Sequence, residues 1–516
     1  MGSAAKVYDH LLNRRLTQWI SIDAAQAGSQ KGRGCLEQII TLRLLIDTAK
    51  RQKKKLFLLF VDFQKAYDKV PRRKLFECLK ERGCGGVMLR ALEALYKDTK
   101  FCLSSAVDID SSIGVRQGAP TSCLLFVIYI DQLSRMLHTL EDDDFLNHLH
   151  AMLLMDDTVI MATSRERLNE KLCTLEAFCD QYGMQMNQKK TKLMVFNGKE
   201  EDRQSIPSCG ANIHHTALYV YLGAHFSDDD RMTTVMMHEM EASRKHVNKF
   251  AAFIHKNYNM PFDFKYKVLT AALSASMLYS CESWLTDNIA VVNKLYMSAM
   301  KILLGVRVTT PHLLCQIEIG LSGLKSTIMK RQGVFMRRFR LKSAGDEPLA
   351  QVLNLTRRTV AAGMVQRLDD AAAADGDPEL MSMENIHQEC RQRAVAGATR
   401  FRTYMDINPD LSVHALYKPS DLYTPDSRRI EVTRLRLSSH RLHVETGRWS
   451  RIPRELRTCP CDSTSVQDEA HVVLNCHLTV HLRAHLPVQM NSVADLFLLD
   501  NSQIAEYCHN LFNVFK

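Results

Sequence analysis

Apolar and polar residues alternate along this chain with two different periods, which predict both helices and strands. Residues 36–49 place apolar side chains at helical spacing, whereas residues 55–62 form a short apolar run bounded by charges, as in a buried strand. Residues 149–155 and 158–163 are two apolar runs joined by a pair of aspartates, a pattern that predicts a β-hairpin with both acids at its turn. The same criteria predict helices over residues 72–82, 87–97, 121–138 and 165–182, and strands over residues 101–107, 192–196 and 218–222.

The C-terminal half of the chain has a mainly helical pattern. Residues 230–345 have a helical period and are rich in methionine, whereas residues 345–430 show little pattern and include a linker-like stretch at 371–379. Residues 492–499 and 502–515 predict two closing helices, each with a serine placed to cap it. These patterns together predict an α+β fold class.

The composition excludes several classes of protein. A chain of 516 residues with 46% hydrophobic and 24% charged residues is packed and globular rather than disordered or collagen-like. The longest apolar runs are too short to cross a bilayer, so we expect no membrane partner. Fifteen cysteines behind an N-terminus without an apolar segment predict reduced thiols, in the nucleus or the cytoplasm.

The surplus of positive charge is concentrated in two segments. The formal net charge is +10, residues 1–60 hold 11 Lys and Arg against 4 Asp and Glu, and residues 428–457 hold 9 Arg against 3 Glu. A single basic stretch is often only a solvated face. Two separated stretches favour an extended contact with a polyanion such as a nucleic acid.

Three aspartates stand at the ends of predicted strands. Asp62 follows an apolar run, and Asp156 and Asp157 occupy the tip of the predicted hairpin. Hairpin turns favour Asp, so the pair could simply face water. Grouped carboxylates in apolar surroundings are costly unless a cation compensates them, and oxygen ligands suit Mg²⁺. A hard-metal site at these strand ends is therefore the functional alternative.

Cysteine and histidine cluster near the C-terminus with the spacing C-x-C-x9-H-x4-C. Cys459, Cys461, His471 and Cys476 would offer three thiolates and an imidazole, which suit a closed tetrahedral Zn²⁺ site. The alternative is a set of buried thiols and a surface histidine. Two further histidines follow Cys476 closely and leave the choice of ligands open.

Six segments in register resemble the motifs of reverse transcriptases from LINE-type non-LTR retrotransposons. In chain order they are QAGSQKGRGCLEQI at 26–39 (fingers), FVDFQKAYDKV at 60–70 (motif A), GVRQGAPTSCLLFVIYID at 114–131 (motif B), LLMDDTVIMA at 153–162 (motif C), GMQMNQKKTKLMVF at 183–196 (motif D) and YLG at 221–223 (motif E). The segments after residue 230 are similar to the thumb and C-terminal part of such proteins. The resemblance implies a right-hand polymerase fold with fingers, an antiparallel palm sheet, a helical thumb and a C-terminal zinc-knuckle region.

The resemblance also implies roles for the acidic residues and one lysine. Asp62 and Asp156 would bridge two Mg²⁺ ions, with Asp157 as a further ligand or a support. Lys190 is at the motif D position that can protonate the leaving pyrophosphate. It could equally be one of several solvated lysines in that segment.

Five further positions are implied to contact the incoming nucleotide. Phe63 and its neighbours would offer backbone N–H groups to the triphosphate, and Arg33 would contact phosphate. Tyr67 is at the steric-gate position, where a ring excludes a ribose 2′-hydroxyl; without the motif it would be a core aromatic. Gln117 and Gly118 would lie under the nascent base pair, with glycine allowing close approach of the backbone.

The Cys/His block and the arginines before it resemble the C-terminal region of the same family. Arginine forks bind phosphates and an indole can stack on a base, so this region would grip template RNA or target DNA. The predicted nucleic-acid-binding residues are Arg434, Arg436, Arg441, Arg448, Trp449, Arg451 and Arg454.

Three features depart from the family pattern. The family's Tyr-Ala-Asp-Asp is here Leu154-Met155-Asp156-Asp157, which affects seating of the primer end rather than metal binding. Motif B has Ala119, Thr121 and Cys123 where Asp, Leu and Pro are usual. The chain also starts late, without the first part of the fingers or a preceding endonuclease domain, so we expect a truncated copy.

The sequence therefore predicts an RNA-directed DNA polymerase of a non-LTR retrotransposon. It would extend a DNA primer 3′-hydroxyl on an RNA template with deoxynucleoside triphosphates, using two Mg²⁺ and one structural Zn²⁺. The alternative is a catalytically impaired relic that only binds nucleic acid; a maturase or telomerase relative is disfavoured by the Cys/His block. The predicted regions are fingers and palm (1–229), thumb and connection (230–345), a poorly patterned linker (346–430) and the basic zinc-knuckle region (431–516). The sequence does not indicate the oligomeric state.

Overall fold

The computed structural model describes most of the chain. It covers residues 2–97, 100–104, 107–110, 113–141, 144–229, 231–284, 286, 288–342, 345–359, 364–374, 376–418 and 424–516. The strands are β1 (Leu56–Val61), β2 (Lys100–Ser104), β3 (Val107–Asp110), β4 (Ala151–Leu154), β5 (Asp157–Ala162), β6 (Lys192–Phe196), β7 (Ile206–Ser208), β8 (Ala211–Ile213), β9 (Leu218–Tyr221) and β10 (Ala224–Ser227).

Most of the structure is helical. The α-helices are α1 (Ser3–Trp19), α2 (Cys35–Arg51), α3 (Ala66–Lys69), α4 (Arg72–Glu81), α5 (Gly86–Lys97), α6 (Ser122–Leu137), α7 (Arg165–Tyr182), α8 (Met232–Lys256), α9 (Phe262–Val268), α10 (Ala275–Met277), α11 (Ala290–Leu304), α12 (His312–Ile319), α13 (Leu324–Lys342), α14 (Pro348–Thr359), α15 (Met364–Ala373), α16 (Pro378–Val395), α17 (Thr399–Ile407), α18 (Asp426–Arg436), α19 (His443–Trp449), α20 (Val480–Ala484), α21 (Val493–Leu496) and α22 (Asn501–Val514). The predicted α+β class is confirmed.

A four-stranded sheet organises the first of two compact units, which comprises residues 1–235, 282–285 and 334–372. Its strand order is β4-β5-β1-β6, and every neighbouring pair is antiparallel. β1 lies in the interior of the sheet because all six of its residues are apolar and buried. This is the antiparallel palm-type sheet that the sequence predicts.

Helices pack on both faces of this sheet. Successive side chains of β1 point to opposite faces, and both sets are apolar and buried. Phe57, Leu59 and Val61 belong to a core cluster shared with α4, α6 and α7. Leu56, Leu58 and Phe60 belong to a second cluster shared with α2, α14 and α15. The helix α6 is apolar on nearly every side since it is enclosed.

The second unit comprises residues 236–281, 286–333 and 373–516 and is mainly helical. A core cluster near the C-terminus joins apolar side chains of α18, α21 and α22 to Val472 and Val473, which lie between two of the predicted zinc ligands. The C-terminal Cys/His block is thus built into a packed helical core.

The four regions predicted from the sequence stay predictions, but the structure differs from the sequence pattern at two places. Residues 346–430 contain the helices α14 to α17 where a poorly patterned linker is predicted. The helices α14 and α15 are amphipathic but only 12 and 10 residues long, and the sequence interpretation missed this short pattern although Leu349, Val352 and Leu353 are buried. The strand predicted over 101–107 is two paired strands, β2 and β3, and residues 105–106 lie outside the described residues.

Across the described residues, no helix has the length and apolar character needed to span a membrane.

Candidate active site and metal cluster

The sheet brings the three predicted aspartates together. Asp62 directly follows β1, Asp156 is in the β4–β5 turn, and Asp157 begins β5. Val61 pairs with Thr158 across the antiparallel β1–β5 ladder, so the end of β1 lies beside the turn. We call β4, β5 and their turn the motif C hairpin. The fold thus places all three carboxylates at one edge of the sheet.

The carboxylates of this cluster oppose one another's ionisation. The pKa of Asp157 is raised to about 6 by partial burial and by the charges of Asp156 and Asp62. Burial also raises the pKa of Asp156, and the charge of Asp62 adds to it against a hydrogen bond from the backbone of Asp156. Oxygen donors that repel one another in this way suit a hard divalent cation, which would remove the repulsion.

The motif D loop holds a lysine beside Asp62. Asn187 N donates a hydrogen bond of 2.7 Å to the Asp62 carbonyl, and Asp62 N donates to Thr191 Oγ1 at 3.2 Å. Lys190 Nζ lies 3.6 Å from Asp62 Oδ1 and its side chain is largely exposed. Of the two alternatives for Lys190, this geometry favours a lysine that can reach the carboxylates.

A buried glutamine, to which the sequence assigns no role, holds the motif C hairpin. Gln26 Oε1 accepts hydrogen bonds from Met155 N (3.0 Å) and Gly28 N (2.6 Å), and its Nε2 donates to the Met155 carbonyl at 3.3 Å. A Cβ on Gly28 would lie 2.5 Å from Met155 Sδ and 2.8 Å from Met155 N. Only glycine fits at position 28 because the finger segment approaches the turn so closely. The one sequence signal was the Gln-x-Gly pair within the finger motif.

Arg33 has a different environment from the predicted phosphate contact. Its guanidinium forms an ion pair of 2.6 Å with Glu37 and donates to the carbonyl of Ala24 at 2.5 Å. Only 12% of its side chain is exposed. Arg33 therefore braces the finger segment rather than facing an open site.

The predicted nucleotide contacts lie where motifs A and B meet. The Tyr67 ring stacks on Phe126 with centroids 4.4 Å apart, and burial, Cys123 and Asp156 together raise the pKa of its hydroxyl. Gln117 Nε2 donates to Asp68 Oδ1 at 3.0 Å. Tyr67 is thus packed on one face and close to the carboxylate cluster.

Two of the predicted nucleotide contacts, Gly118 and Phe63, lie outside the helices and strands. Gly118 has a φ of +79°, which requires glycine or a strained residue. Phe63 is buried and forms an isolated antiparallel bridge with Met186 of motif D. Beside it, Gln64 N already donates to the carbonyl of Gln185 at 2.8 Å, so this neighbouring N–H is not available to a triphosphate.

The four predicted zinc ligands converge. The ligand atoms of Cys459, Cys461, His471 and Cys476 all lie within 4.8 Å of one another, close enough to hold a single metal ion. Cys459 Sγ is 3.7 Å from Cys476 Sγ, and Cys461 Sγ is 3.2 Å from His471 Nε2. The two histidines after Cys476 do not belong to the group. Burial and the neighbouring thiols raise the pKa of Cys461 to about 12, a crowding that a bound Zn²⁺ would relieve.

The predicted arginines have unequal environments. Arg436 is buried in a bidentate ion pair with Glu318 (2.6 Å and 3.2 Å), so the prediction that it contacts nucleic acid is corrected. Trp449 is exposed, with the Arg307 guanidinium 3.8 Å from its ring centroid. Arg448 and Arg454 pair with acids, Arg434 donates to a carbonyl, and Arg441 and Arg451 are exposed.

Comparison with known proteins gives a consistent picture for the N-terminal half. Residues 1–250 match the family described as reverse transcriptase (RNA-dependent DNA polymerase). The chain is 28% identical over 207 residues to the retrovirus-related Pol polyprotein from type-1 retrotransposable element R2 of Nasonia vitripennis, covering 38% of this chain and 20% of that protein. It is 22% identical over 236 residues to the corresponding polyprotein of the type-2 element R2DM of Drosophila melanogaster, covering 43% of this chain and 22% of that protein. The chain therefore spans about a fifth of the length of these relatives.

One solved structure with similarity is that of telomerase from Candida albicans in complex with a TWJ fragment of telomeric RNA. It shares 12% sequence identity with a TM-score of 0.33, covering 72% of this chain and 56% of that chain. For residues 1–250, the family match and the R2 relatives confirm the resemblance to non-LTR retrotransposon reverse transcriptases.

Proposed function

We propose, from the membership of residues 1–250 in the reverse transcriptase family, that this chain is an RNA-directed DNA polymerase of a non-LTR retrotransposon. Its substrates would be a DNA primer 3′-hydroxyl, an RNA template and deoxynucleoside triphosphates. The observation that supports this most directly is the convergence of Asp62, Asp156 and Asp157 at one edge of the sheet, with Lys190 beside them.

The carboxylates suit the metal chemistry of nucleotidyl transfer. Two Mg²⁺ bound by Asp62 and Asp156, with Asp157 in support, would activate the 3′-hydroxyl and stabilise the leaving pyrophosphate. Lys190 would give its proton to that pyrophosphate, since its ammonium can reach the same edge. The ring of Tyr67, fixed against Phe126, would exclude a ribose 2′-hydroxyl.

The C-terminal residues would hold Zn²⁺ and grip nucleic acid. The four converging Cys and His ligands support one structural zinc ion. The exposed arginines and Trp449 before them support contacts with template RNA or target DNA. We place the protein in the nucleus or the cytoplasm, since free thiols suit a reducing compartment.

A second candidate function is a relic that binds nucleic acid without polymerising. The specific observation in its favour is the half-buried Leu154 at the position of the family's tyrosine, which removes a hydroxyl from the hairpin that would seat the primer end.

Primer extension on a poly(rA) template with an oligo(dT) primer separates these candidates. We expect Mg²⁺-dependent extension by the wild type and none by Asp156→Ala, since Asp156 would hold Mg²⁺ at this edge of the sheet. Asp180→Ala is the matched control because Asp180 is exposed on α7, and it should extend like the wild type. Wild-type protein that binds the RNA but does not extend the primer would establish the relic instead.

A further inference from the structure

A cavity of about 690 Å³ lies wholly within the second unit. Its wall joins Arg307, which follows α11, to Arg434 of α18, Arg441 and the C-terminal Lys516. The volume is in the range of small-molecule and nucleotide sites. Four cationic side chains from distant parts of the sequence thus share one cavity.

Acidic groups do not balance these charges. Glu431 is the acid on the cavity wall, and its Oε2 is already 3.0 Å from His509 Nδ1. Burial and the charges of Arg400, Arg434 and Arg441 lower the pKa of Arg307 against the opposing effect of Glu445. Arg307 Nη1 is buried and has no hydrogen-bond partner among the described residues. Clustered guanidinium groups with an unsatisfied donor form a site that an anion would stabilise.

Aromatic side chains form another part of the cavity wall. Trp449 is 54% exposed, and the Arg307 guanidinium lies 3.8 Å from its ring centroid, which orients the indole. Phe515 also lines the cavity. Phosphate-binding forks beside exposed rings are the combination by which proteins hold unpaired nucleotides, because the arginines bind the backbone and the rings stack on the base.

We propose that this cavity binds one unpaired nucleotide of a single-stranded nucleic acid. Arg307, Arg434 and Arg441 bind its phosphate, and its base stacks on Trp449. The inference rests on the proposed function only for the presence of a single-stranded RNA or DNA. The cavity contains none of the three aspartates, so it is a separate site.

Fluorescence anisotropy of a labelled single-stranded RNA, measured on the full chain without nucleotides, tests the site. We expect Arg441→Glu and Trp449→Ala each to weaken binding by about tenfold, since a lost stacked base or phosphate contact has about this effect. Arg441→Glu should also reduce the slope of log affinity against log salt by about 0.7 per phosphate. Arg402→Glu and Tyr258→Ala, which alter exposed residues outside the cavity, are the matched controls and should bind like the wild type.

Tryptophan fluorescence gives a local readout. The chain has three tryptophans: Trp284 is buried, Trp19 and Trp449 are exposed, and of these two Trp449 lines the cavity. RNA should therefore quench the emission of the wild type, and most of that quenching should be absent from Trp449→Phe. Equal quenching in both proteins, or cavity variants that bind RNA like their controls, would overturn the proposal.

Two further outcomes separate the sources and the functions. Free AMP that displaces the RNA from the wild type at equal concentration would overturn the polymer assignment in favour of a free nucleotide. Wild-type protein that fails in primer extension but shows the cavity-dependent RNA binding would refute the polymerase while supporting the cavity. If the wild type extends the primer and the cavity variants bind RNA like the wild type, the polymerase would be supported and the cavity site refuted.

Discussion

Gln26 makes hydrogen bonds with both backbone groups of Met155, as a neighbouring strand would. Met155 needs this support because it has a φ of +61°, a left-handed conformation that costs a non-glycine residue about 1 kcal/mol or more. The position of the adjacent Asp156 therefore depends on a residue 130 positions earlier in the sequence. Gln26 is a positioning residue for the carboxylate cluster.

Replacing this glutamine should slow polymerisation without weakening substrate binding. Gln26→Met keeps the length of the side chain but removes hydrogen bonds worth about 1–3 kcal/mol, so we expect kcat to fall by about 10- to 100-fold. The KM for deoxynucleotides and the RNA affinity should stay the same in steady-state primer extension. Gln366→Met, on the exposed side of α15, is the control.

Gly28→Ala is an independent variant with the same expected result, because its Cβ would collide with Met155. If Gln26→Met and Gly28→Ala change only KM, the positioning role of Gln26 would be contradicted.

The proposed gate role of Tyr67 can be tested by the sugar of the nucleotides that the protein incorporates. Tyr67→Ala removes the ring that stacks on Phe126, so a ribose 2′-hydroxyl would no longer be excluded. We expect the preference for deoxynucleotides over ribonucleotides to fall by about tenfold or more in single-nucleotide incorporation. Tyr67→Phe keeps the ring and should discriminate like the wild type. Unchanged selectivity in Tyr67→Ala would show that Tyr67 only fills the core.

Single residues were predictable from the sequence where the motif fixes their place on a strand, as for Asp62 and Asp157. The environments of Arg33 and Arg436 were not. The partner of Arg436 is Glu318, 118 positions away, and neither residue type nor local spacing indicates such a pair. Charge alone predicted exposure, whereas the fold enclosed the guanidinium with a carboxylate.

At the scale of elements, the motif C hairpin and the helix α7 that follows it were predictable from the sequence. The pattern of apolar residues is unbroken in both. The predicted helix at 165–182 and the predicted strand at 192–196 coincide with α7 and β6. Ser492 takes part in a capping box as predicted, whereas the last helix is capped by Asp500 and not by Ser502. Asp500 and Ser502 are two positions apart and of types that cap equally well, so local sequence could not choose between them.

The Cys/His cluster proposed to hold zinc is the element whose removal should have the largest structural effect. Its ligands flank Val472 and Val473 of the C-terminal core, so loss of the metal should loosen the helices packed there. We expect elemental analysis to find about one zinc per chain in the wild type and none in the double variant Cys459→Ser, Cys476→Ser. Calorimetry should show a lower melting temperature for the double variant. Cys173→Ser, an exposed thiol, is the control. Equal zinc in all proteins would refute the site.

For the whole molecule, the structure assigns the two chemistries to two units. The carboxylates lie in the unit that contains the sheet, and the Cys/His cluster and the basic cavity lie in the helical unit. The uneven charge predicted one long polyanion contact, but it could not show that some arginines of the second basic segment are used internally. The positive charge that can contact a nucleic acid, which we call the usable charge, is therefore smaller than the number of arginines in that segment suggests.

Salt dependence measures that usable charge. If four phosphates are neutralised, RNA affinity should fall by about 50-fold between about 50 mM and about 200 mM salt, by anisotropy titration. A change of less than about threefold over the same range would mean that fewer than two phosphates are neutralised.

The finger segment that contains Gln26 also closes the edge of the sheet. β4 is an outer strand, and Leu153 exchanges hydrogen bonds with the backbone of Ala25 and Ala27 at 2.9 Å and 2.8 Å. An outer strand without such a cover is a template for pairing with other chains. A fragment that begins after residue 34 should therefore self-associate through β4, which light scattering would detect. The same few residues that hold the turn with Asp156 should thus also protect the protein against aggregation.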